Sequence, residues 1–233
     1  MSLLLSEEHG DVVVLKLNRP EKGNSLNEAL LLLLKDQLSL TLQKPGLKAV
    51  ILTGMGDRFF CTGADLTELL GDPKRAGPLL QLFTDVMELF SSAPVFTACF
   101  LNGDTLGGAV GISLSTDFVL AREGIKIGTP EITKGVFPFM ISKPMVAKLG
   151  YQKAMAMSLG GKFWDSKSAF ELGMVSETAD QTEFPLRMQK LIELWNAIPR
   201  STVLNGKMAF AQSSEMTPQK LIGFLAEHLA GRK

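Results

Sequence analysis

Apolar residues fall along this chain in short, nearly unbroken blocks, separated by turns rich in polar residues, glycine and proline. Val12 to Leu17 is a β-branched-rich block that reads as a strand, stopped by Asn18-Arg19-Pro20. Glu21 to Ser25 has loop composition, and Ser25 or Asn27 can cap a helix running to about Leu42, ended by Pro45-Gly46. The leucine run Ala29 to Leu34 reads as that helix's buried face. Ala49 to Thr53 is a second buried strand, closed by Gly54-Met55-Gly56. The β, α, β order and the length of the connections allow both strands to lie in one sheet covered by the helix, as in α/β proteins.

Farther on, Phe59-Phe60 gives way to the small residues Cys61-Thr62-Gly63-Ala64-Asp65 and then to a helix-like stretch from Leu66 to Leu70. Small residues just before a helix leave backbone N–H groups open to an oxygen ligand, although for this stretch taken alone a plain tight turn with a helix cap is the favoured explanation. Leu79 to Leu89 has a helical apolar period, and Pro94 to Leu101 is a third strand. Asn102-Gly103-Asp104 turns the chain into Leu106 to Leu114, which carries glycines at 107, 108 and 111. Each glycine costs a helix about 0.8 to 1 kcal/mol relative to alanine. Gly108 and Gly111 share a helix face, which suits the approach of either a ligand or a packed strand. Phe118 to Ala121 and Lys126-Ile127 are further strands, followed at once by Gly128-Thr129-Pro130-Glu131. From Val136 to Gly150 the chain is densely apolar, interrupted by Pro138 and Pro144. Helices are expected at Ala154 to Leu159, at Ser166 to Leu172 with Ser166 as cap and Gly173 as stop, at Phe184 to Ala197, at Ser201 to Ala211 and at Leu221 to Leu229.

Composition narrows the function. At 233 residues the chain can bury one substantial core. Lys and Arg total 24, as do Asp and Glu, so no basic excess advertises nucleic acid or an anionic membrane. The run Ala29 to Leu34 is far short of the ~20 residues of a membrane span. Two cysteines, Cys61 and Cys99, and no leader pattern over Met1 to Gly10 fit the cytoplasm. The glycines do not form G-x-G-x-x-G, neither Gly161-Lys162 nor Gly206-Lys207 completes a P-loop, and Ser113 and Ser115 lack the G-x-S-x-G frame. His9 and His228 have no triad context, and Cys and His show no zinc spacing, so no metal is expected.

Four linked motifs carry a resemblance. They are Asn18-Arg19-Pro20 with Asn24-Ser25-Leu26, AVILTGMGDRFFCTGADL at Ala49 to Leu66, NGDTLGGAVGISLSTD at Asn102 to Asp117, and IGTPEITKGVFP at Ile127 to Pro138. In this order they resemble the crotonase superfamily of enoyl-CoA hydratases and isomerases, over Val12 to about Val175. The resemblance implies an α/β fold, a spiral of ββα units over residues 1–197. A shortened C-terminal helical segment, 198–233, would make the contacts of a homotrimer or hexamer. It implies that the backbone N–H groups of Ala64 and Gly108 form an oxyanion hole for an acyl-CoA thioester. Coenzyme A would arrive as part of the substrate, with no cofactor bound permanently. Glu21, Lys22 and Gly23, and Thr62, Gly63, Asp65 and Leu66, match segments lining the coenzyme A site. Lys22 is either a phosphate neighbour or a solvated loop lysine. Gly107, Gly111 and Phe137 complete the expected substrate contacts.

The departure from the family is Gly111, where typical hydratases carry one of two glutamates; here only Glu131 remains. One carboxylate beside an oxyanion hole can move a proton from C2 to C4 of a 3-enoyl thioester, which makes an isomerase the first expectation. Its surroundings, Ile132, Val136, Phe137 and Phe139, are apolar enough to raise its pKa toward working pH. The alternatives are a hydratase working with one glutamate or another crotonase reaction such as acyl-CoA hydrolysis or lysis, and, in another class, a non-catalytic acyl-CoA-binding protein.

Overall fold

The structure, a computed structural model, describes residues 2–65, 73–212 and 217–230. Its strands are β1 Leu4–His9, β2 Val12–Leu17, β3 Ala49–Gly54, β4 Phe59–Cys61, β5 Phe96–Leu101, β6 Asp104–Leu106, β7 Phe118–Arg122, β8 Lys126–Gly128, β9 Phe163–Asp165 and β10 Glu177–Ala179. Its helices are α1 Glu28–Leu42, α2 Pro73–Ser92, α3 Gly108–Leu114, α4 Ser142–Gly160, α5 Ser166–Glu171, α6 Phe184–Ala197, α7 Arg200–Ala211 and α8 Pro218–Ala230. Two 3-10 turns, Pro130–Lys134 and Phe139–Ile141, stand between β8 and α4. The helix-like stretch expected from Leu66 lies outside the described residues.

The strands form two sheets. One has the order β1-β2-β3-β5-β7-β10, parallel except where β1 joins β2, and the other the order β4-β6-β8-β9. The chain alternates between them: β3 enters the first sheet and β4 the second, then β5 and β6, then β7 and β8. This is the crotonase-like spiral of ββα units. Its functional consequence lies in the second sheet, where β4, β6 and β8 are parallel neighbours. Cys61-Thr62, Gly107-Gly108 and Pro130-Glu131 therefore leave adjacent strand ends on one side, the usual place for a ligand on parallel strands.

The continuous apolar blocks have a physical reason: the inner strands of the first sheet are buried on both faces. Val13, Leu15 and Leu17 join the main core with Leu52 and Cys99, whereas Val12 and Val14 face the opposite way with Ile51, Phe100 and Trp195 of α6. Lys207 of α7 ties that helix to the core through Asp117 (2.7 Å) and the Val95 carbonyl (2.9 Å).

Local departures from expectation also have causes. Leu30, Leu31 and Leu34 of α1 are buried, but Leu32 and Leu33 are 47% and 43% exposed, because a run of six wraps past any single helix face. Asn27, not Ser25, caps α1 by accepting from Leu30 N–H. Asp165 caps α5 in place of Ser166, accepting from Ser168 N–H at 2.7 Å. The sequence Leu4–His9 gives no strand alternation, yet β1 forms, since an antiparallel edge strand needs burial on only part of its length. Strands β4 and β6 are three residues each and read as turn chemistry; pairing holds them.

Leu34→Ala, which empties a fully buried site on α1, should cost about 2 to 5 kcal/mol. Leu40→Ala, at a position 62% exposed on the same helix, should stay within about 0.5 kcal/mol. Urea unfolding of both variants measures the difference, and equal costs would refute the assigned helix face.

Candidate active site

The first wall is built by two loops locked together. Asn24 holds a positive φ of 51° and is buried; its side chain accepts from Arg19 N–H at 2.9 Å and donates to the carbonyls of Met55 and Phe59 at 3.0 Å each. Leu26 N–H donates to Gly63 at 2.8 Å, and Asp65 N–H donates to Leu26 at 2.9 Å. Those two bonds bracket Ala64 in a parallel bridge. Across the trans peptide the N–H of Ala64 lies opposite the Gly63 carbonyl, so it points away from Leu26, and Ala64 itself lines the cavity. The N–H of Gly63 is turned inward to Cys61 Sγ at 3.3 Å. Burial pushes the Cys61 thiol up to about 12, which leaves it no thiolate character at neutral pH.

The second wall begins where β6 ends. Gly107 takes a positive φ of 57° and donates to the Gly128 carbonyl at 2.8 Å. Gly108 opens α3, so its N–H has no intrahelical partner. Among the described residues neither Ala64 N–H nor Gly108 N–H meets an acceptor. A Cβ on Gly63 would stand 2.8 Å from the Leu106 carbonyl oxygen and 2.9 Å from Gly108 N. The two open N–H groups are neighbours because that side chain is missing.

Glu131 supplies the charge. Pro130 starts its 3-10 turn and Gly135, at φ 72°, ends it. A Cβ on Gly107 would lie 2.7 Å from Glu131 Oε1, so the carboxylate rests directly against the glycine. Its Oε2 is buried and finds no hydrogen-bond donor among the described residues. Burial pushes the Glu131 carboxyl above its ordinary range, opposed by its own backbone N–H and by the charge of Lys134.

These walls enclose a cavity of about 580 Å³. Of the residues expected from sequence, Lys22, Thr62, Ala64, Asp65, Gly107, Gly108, Glu131 and Phe137 line it. Gly23 and Gly63 stand behind that lining as close-packing points, Gly23 against Thr62 and Gly63 against α3. Glu21 is exposed and off the cavity wall, while Leu66 lies outside the described residues. Gly111 does not reach the cavity: a Cβ there would stand 2.1 Å from Cγ2 of Ile141. Val136 and Phe139 are on the lining as expected, whereas Ile132 packs toward Gly161 instead.

Sequence reasoning missed Phe83 and Ile141 as lining residues, and it missed Arg19. Phe83 meets Gly108, where a Cβ would be 2.6 Å from its ring; the helical period of α2 was its only signal. Arg19 pairs with Asp65 at 2.8 Å and donates to Ser25 Oγ at 3.0 Å. That pairing leaves Glu131 as the lining carboxylate, among the described residues, with no cation bonded to it.

The raised Glu131 pKa has a stability consequence. An unfolded glutamate ionises near ~4.3; below that value both states are protonated, and the stability the group contributes is lost as pH rises through the higher folded value. Glu131→Gln should therefore raise the melting temperature at about pH 8 and do so by less at about pH 4. Thermal melts at both pH values test this, and an equal effect at the two would contradict the buried, unpartnered carboxylate.

Comparison with known proteins agrees with this geometry. Residues 7–227 match the family model for enoyl-CoA hydratase/isomerase. The chain is 30% identical over 228 residues to the 2,3-dehydroadipyl-CoA hydratase of Escherichia coli (strain K12), covering 94% of this chain and 86% of that protein. It is 27% identical over 197 residues to the 1,2-epoxyphenylacetyl-CoA isomerase of the same organism, covering 82% and 75%. The crystal structure of an enoyl-CoA hydratase from Bacillus anthracis shares the fold with a TM-score of 0.89 at 24% identity, over 99% of this chain and 91% of that one. With a matching model over nearly its whole length and a spiral that brings three strand ends to one cavity, the chain belongs to the enoyl-CoA hydratase/isomerase family of the crotonase superfamily.

Proposed function

We propose that the protein shifts the double bond of a 3-enoyl-CoA to the 2-position, with Glu131 as the proton shuttle and the N–H groups of Ala64 and Gly108 as the oxyanion donors. The thioester oxygen would sit between those donors, which strengthen as charge moves onto it; each such donor is worth about 2.7 to 4 kcal/mol of barrier in comparable sites. Glu131 takes the C2 proton and the C2–H electron pair forms C1=C2, moving the carbonyl pair onto the thioester oxygen as an enolate; the C3=C4 pair then takes the proton back at C4 while the C1=C2 pair becomes C2=C3 and the carbonyl re-forms. No water is consumed. The carrying observation is the Glu131 carboxylate against Gly107, which among the described residues has no bonded cation, whereas the other carboxylate on the described lining, Asp65, is held by Arg19.

A hydratase is the second reading, favoured by names such as that of the dehydroadipyl-CoA relative. Against it stands the space at Gly111, where a second carboxylate would collide with Ile141. The coenzyme A portion would leave the cavity past Thr62 and Asp65, with Lys22 at the mouth for its phosphates. Self-association as a homotrimer or hexamer goes with the same reading, supported by apolar side chains such as Phe210 and Ile222 that are 83% and 68% exposed on α7 and α8.

The test offers 3-hexenoyl-CoA and crotonyl-CoA to wild type and to Glu131→Gln. Double-bond migration should dominate in wild type and fall about 10² to 10⁴-fold in the variant. Because Glu131 acts as the anion, the rate should rise with pH through a value above the ordinary glutamate range. Hydration outpacing migration would replace the isomerase by the hydratase, and undiminished activity in Glu131→Gln would remove the base.

A further inference from the structure

Gly111 lies within α3, four residues or about one helical turn beyond Gly107. It is packed under Ile141: a Cβ on the glycine would stand 2.1 Å from Cγ2 and 2.6 Å from Cβ of that residue, and 3.2 Å from Sδ of Met87. Ile141 arrives from the 3-10 turn Phe139–Ile141, is 1% exposed, and lines the same cavity as Glu131. A carboxylate and a branched hydrocarbon therefore rest against successive turns of one short helix.

Adding water to a 2-enoyl thioester forms a bond from the water oxygen to C3, sends a water proton to a base and delivers a proton to C2. A water held for that purpose needs about 2 to 4 polar partners. Glu131 offers an acceptor, but what stands over Gly111, among the described residues, is the hydrocarbon of Ile141 and the thioether of Met87, and the polar lining residues Ser25, Thr62 and Asp65 come from the opposite loops. Migration needs no such water.

Resting on the isomerase reading, we propose that Ile141 is a specificity-determining residue: its side chain fills the space over Gly111 beside Glu131, denies a water its place there, and so confines the site to double-bond migration. It does not exchange protons; it acts by occupying volume and by offering no hydrogen bond.

The experiment compares wild type with Ile141→Val, Ile141→Thr and Ile141→Ala, measuring crotonyl-CoA hydration and 3-hexenoyl-CoA migration on the same protein sample. Valine stays apolar, threonine adds a hydroxyl to a similar branched shape, and alanine opens volume. The hydration-to-migration ratio should rise about tenfold or more in Ile141→Thr or Ile141→Ala and change by no more than about threefold in Ile141→Val. A partly folded variant lowers both rates together, so the ratio remains readable. An unchanged ratio in the threonine and alanine variants, with wild-type migration intact, overturns the role of Ile141 and leaves the isomerase reading standing. Wild type hydrating crotonyl-CoA faster than it moves the double bond overturns both.

Discussion

A side-chain carbon on Gly63 would stand 2.8 Å from the Leu106 carbonyl and 2.9 Å from the Gly108 nitrogen, so the loop after β4 and the start of α3 meet with only backbone between them. Everything at the site depends on that approach. It brings together two N–H groups that meet no acceptor among the described residues, and it is possible because each comes from the end of a neighbouring parallel strand. The Leu26 bridge fixes the direction of one donor, and the helix start fixes the other. Preset donors need no reorganisation when charge appears, which is why backbone placed this way favours an enolate oxygen over a neutral carbonyl.

Glu131 is placed by the same logic one strand farther along. Gly107 has no side chain, so the carboxylate rests against its backbone; with a Cβ there, Oε1 would be displaced. The carboxylate gives up solvent and gains little in return, since Oε2 has no donor among the described residues. Burial without a partner destabilises the ionised form and makes it a stronger base. The proposed activity and the destabilising burial have one cause.

Much of this was legible in the sequence, for physical reasons that differ by element. The inner strands of the first sheet are buried on both faces, so Val12–Leu17, Ala49–Gly54 and Phe96–Leu101 appear as continuous apolar blocks. Asn27 and Gly173 mark helix ends by their own chemistry, the one accepting from an N–H and the other adopting φ 83°. Strands β4 and β6 left no such trace, because three residues are too few for a period and their pairing partners lie more than twenty residues away. For the site, Ala64, Gly108 and Glu131 came from motif resemblance, and the structure brings them to one cavity. Ile141 was invisible: nothing in a dense apolar run says which residue will cross to a glycine thirty positions earlier. The Arg19–Asp65 pair was hidden for the same reason, since a salt bridge between loops has no local signature.

The central claim is that one carboxylate, Glu131, carries one proton from C2 to C4. Following the label of 3-hexenoyl-CoA deuterated at C2, in ordinary water, tests it most directly. With both C2 positions deuterated, one deuterium stays at C2 of the 2-hexenoyl-CoA product and the account predicts measurable deuterium at C4; product that carries no deuterium at C4 even in the first turnovers would contradict it.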